Sequence, residues 1–253
     1  MLDCFVSRLR SVAAARGGER GATTTEFVII MPLFFVILFG IIEAAFIFRT
    51  RATLNTATFD AARHGAVSHA LVSPMNERLA RGMIPLYMQG STDPLQYTEA
   101  YARARIMVSA ADGVGLDPVR VVSPTQAMVE EFGVPRTLQL PGDSWPTEYQ
   151  VIPNDNLSYR PASTVEVDID GESRPINVQD ANLLKIKSYW CHPLIVPVVN
   201  RLIAGLTTLD LFNPSPEQLA CEALSAAEGG HHIPVTSQAT VRMQSDVVRR
   251  DLN

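Results

Sequence analysis

Gly21 is followed by four small residues, Ala22-Thr23-Thr24-Thr25, then by Glu26 and an apolar run from Phe27 to Phe48. The chemistry this order suggests is proteolytic. A secretory leader carries its small-residue cleavage site after the apolar core, whereas here the candidate site, Gly21, precedes it. Cutting between Gly21 and Ala22 releases an arginine-rich arm and keeps the hydrophobic segment in the mature protein. It also frees an amine on Ala22 about a turn away from Glu26. A carboxylate at the edge of a hydrocarbon layer is expensive and needs such a partner, or one from a neighbouring subunit. The plainer reading of Glu26 is an acid that begins a helix, where it suits the dipole.

Other reactive side chains form no convergent set. Of the three cysteines, Cys4 lies in the arm that cleavage would remove, which leaves Cys191 and Cys221. An even pair in an exported domain reads as a disulfide, worth roughly 3–4 kcal/mol by loop entropy; the alternative is two buried thiols. Gly142-Asp143-Ser144 has the look of an esterase nucleophile block but lacks a later Asp-x-x-His, and reads as a turn. His192, His231 and His232 with Cys191 do not have the spacing of a zinc site, and His231-His232 reads as a solvated loop after Gly229-Gly230. No catalytic residue, metal ligand or cofactor is assigned, and neither a phosphate loop nor a dinucleotide fingerprint occurs.

The elements that position these residues begin with the apolar run, whose length of about 22 residues matches a hydrocarbon layer of roughly 30 Å. Arg8, Arg10, Arg16 and Arg20 precede it, against Arg49, Arg51 and Arg63 after it, which places the N-terminus in the cytoplasm and the bulk of the chain outside. Pro32 removes one backbone donor and can kink the helix, and Gly40 is a second soft point. Glu43, near the outer end, reads as a snorkelling acid or as a partner of Arg49 or of another subunit. Ala52, Phe59, Ala62, Ala66 and Ala70 continue at helical spacing, so one long helix emerges from the membrane with an amphipathic outer part.

Ser73-Pro74 interrupts that pattern. Short helices are expected over Arg78–Met88, Tyr97–Ala111 and Pro216–Ala227, and Leu194–Leu211 is apolar and helix-compatible after Pro197. Strands are expected at Val119–Val122, Ala127–Glu131, Tyr149–Ile152, Thr164–Asp170, Leu183–Trp190 and Ile233–Gln244. Val165, Val167 and Ile169 should share a half-buried face. The fold class is therefore α+β: a long transmembrane and amphipathic helix, then a periplasmic domain with a small, mostly antiparallel sheet and short helices. The divisions are a leader at 1–21, the helix at 22–70 and the exported domain at 71–253. The 253-residue chain carries a formal charge of −5 and no basic stripe, which speaks against a nucleic-acid partner.

Gly21-Ala-Thr-Thr-Thr-Glu26-Phe27 resembles the type IV prepilin peptidase site, which in that family is cut after the glycine and has glutamate at the fifth mature position. Pro32-Leu-Phe-Phe, Phe39-Gly-Ile-Ile-Glu43, Arg51, Leu54-Asn55 and Ala61-Ala-Arg63 are similar to the TadE-like minor pseudopilins of the tight-adherence (Flp-type) pilus. The match runs over about Gly21 to Ala66, with looser likeness at Tyr189–Pro197 and Ile233–Ser245. Glu43-Ala-Ala departs from the Glu-aromatic or Glu-Gly step of the family. The resemblance implies a bacterial inner-membrane, single-pass protein with a periplasmic C-terminal domain. It implies a substrate of a prepilin peptidase that packs with other pilus or pseudopilin subunits and is not itself an enzyme. Rival readings are a signal-anchored periplasmic enzyme and a ligand-binding or sensor domain with an uncleaved span.

Overall fold

The computed structural model describes residues 22–88, 90, 93–113, 117–169, 171–207 and 215–252. Gly21 and Cys4 lie outside them. Helix α1 (Ala22–Val67) runs for 46 residues, roughly 70 Å at the usual rise, with Pro32 inside it. Its first half is rich in Ile, Leu and Phe, its second in Ala and Thr. Buried positions begin at Glu43 and recur at Thr50, Leu54, Ala57, Thr58, Ala61, Ala62 and Ala66, the period of one helix face. This stripe is rotated from the expected one: Ala62, Ala66 and Ala70 are buried, but Ala52 and Phe59 are exposed. The rotation has a polar cause, since Thr50 and Thr58 face inward and find hydrogen-bond partners there, while the Arg63 guanidinium covers the outward Phe59 ring at 5.9 Å.

The helix stops where His69 and Ala70 take left-handed backbone angles, with φ of 58° and 61°. Its end is satisfied from the far end of the chain. The Ala66 carbonyl accepts from the Gln244 and Ser245 amides at 2.9 and 3.0 Å and from the Ser245 hydroxyl at 3.0 Å. The break therefore precedes Ser73-Pro74, and Pro74 sits in the first turn of α2 (Val72–Gly82), where a missing N–H is tolerated. The Val72 amide donates to the Asp251 carboxylate at 2.9 Å.

After α2, Pro85 lies in a 3-10 turn over Ile84–Leu86, so the helix expected to reach Met88 ends early. Next come α3 (Pro94–Gly113), β1 (Val119–Ser123), α4 (Gln126–Phe132), β2 (Val134–Leu138) and β3 (Thr147–Ile152). Then follow β4 (Val165–Ile169), β5 (Glu172–Ile176), β6 (Leu183–Pro193), α5 (Val199–Thr207), α6 (Pro216–Glu228), β7 (His232–Arg242) and β8 (Val247–Val248). The expected strand at Ala127–Glu131 is the helix α4. Its adjacent Met128 and Val129 are both buried on one helix face and pack into the main core.

Among the described residues all pairing is antiparallel, and the strands divide into three small sheets: β1-β6-β7, β2-β3-β8 and the hairpin β4-β5. The fold is α+β, a long apolar N-terminal helix followed by small antiparallel sheets and short helices. In the hairpin, Val167 is buried while Val165 is exposed and Ile169 intermediate. The second half of α1 lies across β6 and β7, and the main core joins Leu54, Ala57 and Ala61 of the helix to Leu184, Ile186 and Trp190 of β6. The α1–α2 crossing is close: a β-carbon at Gly82 would stand 2.5 Å from that of Ala57.

Candidate functional site

The first half of α1 is a bare apolar rod. Ile29 is 75% exposed and Ile41 66%, and Phe27, Leu33 and Phe34 are also exposed. A β-carbon at Gly40 would meet nothing within 4 Å. Glu26 and Pro32 are exposed as well. Soluble proteins rarely leave so much contiguous apolar surface uncovered, so this half belongs in lipid or against other helices. The helix Thr24–Val67 is a candidate single membrane span.

Where the rod meets the domain, three polar side chains of α1 hold it. Glu43 is fully buried, and its carboxyl oxygens accept from the Val196 amide at 2.7 Å and the Ile195 amide at 3.2 Å. Both amides belong to the segment between β6 and α5, so an acid of the apolar helix satisfies donors that the sheet leaves behind. Arg49 points elsewhere and donates to the Pro85 carbonyl at 3.0 Å. The Thr50 hydroxyl pairs with His192 Nδ1 at 2.8 Å, and the Thr58 hydroxyl with that of Ser188 at 2.5 Å, both partners on β6. Spaced by about two turns each, these three ties fix the rotation of the helix on the sheet.

His192 stands between two of these ties. Its Nε2 is 3.7 Å from the Glu43 carboxyl, longer than a hydrogen bond, while Nδ1 faces Thr50. Burial lowers its pKa from the ordinary histidine value, and the acidic Glu43 beside it opposes that shift without reversing it. The imidazole is therefore neutral at pH 7 and acts as a hydrogen-bonding spacer.

Cys191 and Cys221 form a disulfide with Cα atoms 5.4 Å apart, joining β6 to α6. The Lys187–Glu217 ion pair at 2.6 Å makes the same connection. Helix α6 is set up locally by Ser215, whose hydroxyl accepts from the Gln218 amide at 3.2 Å, and by Pro216 in the first turn. His232 is not solvated: it opens β7, is buried, and its ring Nδ1 lies 3.1 Å from the Ser225 hydroxyl. Burial lowers its pKa too. Gly142-Asp143-Ser144 is the turn between β2 and β3. Asp143 accepts from the Leu140 amide and the Tyr149 hydroxyl, both at 2.9 Å, and these bonds with nearby Arg250 hold its pKa low. Ser144 is exposed, and the Asp143 side chain is committed to the turn.

Thus Glu43, Thr50, Thr58, Ser188 and His192 come together along one helix face, while Gly21 lies outside the described residues and Ala22 begins α1. Sequence reasoning did not find the anchors Thr50 and Thr58. Their signal was weak but present: with Glu43 they share the 3.6-residue period that the alanine pattern obscured. Residues 21–63 match the family model described as TadE-like protein. No curated protein and no solved structure matches the chain.

Proposed function

We propose that this chain, TadE-like over residues 21–63, is a pilus-assembly component of the tight-adherence type that is cut by a prepilin peptidase between Gly21 and Ala22. The observation that carries the reading is the coincidence of that match with a helix whose first half is apolar and exposed and whose second half is anchored in a folded domain. In this reading residues 1–21 are a cytoplasmic leader and residues 22–70 carry the inner-membrane span and its extension. Residues 71–253 then form a periplasmic domain. Assembly proceeds by packing rather than catalysis. Small side chains let helices approach, and Glu26 pairs with the new amine of Ala22 or with that of a neighbouring pilus subunit.

The mass of the mature N-terminus tests this. Co-expressed with a prepilin peptidase, the protein should begin at Ala22, and a Gly21→Val variant should stay full length. A wild-type chain that still begins at Met1 under those conditions overturns the reading and favours an anchored enzyme or sensor with an uncleaved span.

A further inference from the structure

The segment after β6 presents a second apolar surface, separate from the face of α1. Ile195 is 60% exposed, Val198 55% and Leu202 52%; Leu202 lies in α5, and Val198 directly precedes that helix, its carbonyl accepting from the Leu202 amide at 3.2 Å. The opposite side is occupied, since Val196 and Val199 are buried and α5 touches α1. Its level along α1 is set by Glu43, which holds the amides of Ile195 and Val196.

That level can be compared with a bilayer. Glu43 stands about 25 Å beyond Glu26 along the helix axis. The hydrocarbon layer is roughly 30 Å thick. With Glu26 at one edge of the layer, Glu43 falls just inside the other edge, and the backbone that caps it must lie at the same depth. Any side chain on the outer flank of that backbone then meets acyl chains rather than water. Ile195, Val198 and Leu202 suit that setting, and the adjacent exposed Arg201 has the reach to place its guanidinium among headgroups.

We infer that Ile195–Leu202 is an interfacial anchor: a short stretch lying in the headgroup–acyl boundary at the C-terminal end of the span, beside α1, with lipid as the occupant of its apolar face. This rests on α1 being a membrane span. The domain is thereby seated on the membrane surface at a fixed height, and Glu43 is shielded from lipid by its own chain.

Spin labels distinguish the cases. The full-length protein carrying Cys4→Ser, with Leu202→Cys or Val198→Cys, is labelled and reconstituted in phosphatidylcholine–phosphatidylglycerol vesicles, the Cys191–Cys221 disulfide being left intact. Phe34→Cys in the span and Tyr159→Cys, 91% exposed in the domain, serve as references. Collision with oxygen relative to a water-soluble nickel chelate should be higher at positions 198 and 202 than at Tyr159, and should approach that at Phe34. Nickel access at 198 and 202 equal to that at Tyr159, with Phe34 in lipid, overturns the anchor and leaves the span. Shielding of both positions from both reagents also overturns it, because a protein then covers the face. Nickel access at Phe34 removes the span and the anchor together.

Discussion

At the scale of single residues, the least expected finding is that an acid near the outer end of an apolar helix is neither snorkelling nor paired with Arg49. It is a hydrogen-bond acceptor for two backbone amides of the domain. Glu43→Ala leaves the buried Val196 amide and the partly buried Ile195 amide without this acceptor and should cost roughly 1–3 kcal/mol, whereas Glu43→Gln keeps a carbonyl acceptor and should cost less. Denaturant unfolding in detergent micelles, read by circular dichroism, ranks the two. Histidine protonation adds a pH dependence. His192 and His232 both have folded-state pKa values below the ordinary value near 6.5, so the unfolded chain binds protons that the folded one refuses. Stability should be level above about pH 7 and fall as the pH drops below 6.5. In His192→Asn, which keeps a polar atom near Thr50, the fall should be shallower, and an unchanged slope would show that His192 contributes nothing. Little of this was legible in advance. Glu43 stood out as an acid in an apolar run, but its partners are backbone amides, which carry no side-chain signature. His192 invited comparison with other metal-binding residue types, when its neighbours are a threonine hydroxyl and a carboxyl group more than a hundred positions away.

At the scale of elements, legibility followed local physics. The long helix, the strands at Val119, Tyr149 and Leu183 and the helix at Pro216 were readable because length, β-branched or alternating runs, or helical spacing marked them. The segment Ala127–Glu131 was misread because a short run with two adjacent apolar residues fits either period until packing decides. The buried stripe of α1 was misplaced by one side because alanine is too small to dominate a pattern that threonine hydroxyls share. The α1–α2 crossing gives a sharp test of the packing. Gly82→Val forces side-chain volume onto the Ala57 backbone and should destabilise by about 1–3 kcal/mol, while Gly40→Ala, which meets nothing in this chain, should leave the domain's unfolding midpoint unchanged. Across the domain, Cys221→Ser removes the link from β6 to α6 and should cost about 3 kcal/mol relative to the oxidised protein. Labelling without reductant should find no free thiol at Cys191 in the native chain, and one in the variant.

At the scale of the whole molecule, the chain divides functionally within a single helix. From Thr24 to Ile42 no residue is buried, and from Glu43 onward the same helix supplies the centre of the core. An exposed apolar rod, the candidate span, and a domain helix are one continuous helix, so the domain cannot turn relative to the rod except by bending α1. This arrangement predicts where the molecule can be cut. A chain beginning at Glu43 keeps every anchor and every buried position of α1, and it should fold cooperatively with the disulfide formed. Its apolar helix is gone, but Ile195, Val198 and Leu202 remain, so it should still associate reversibly with anionic vesicles in a flotation assay. A chain beginning at Phe59 lacks Glu43, Thr50, Leu54, Ala57 and Thr58. It opens a trough over β6 into which Leu184 and Ile186 were packed, and a core deprived of several side chains loses several kcal/mol, a large share of what a domain of this size possesses. Thermal unfolding followed by circular dichroism should show one transition for the first chain and none for the second. Equal melting curves would mean that the outer half of α1 is an appendage to the domain, and the coupling of its height and rotation to the membrane span would then be lost.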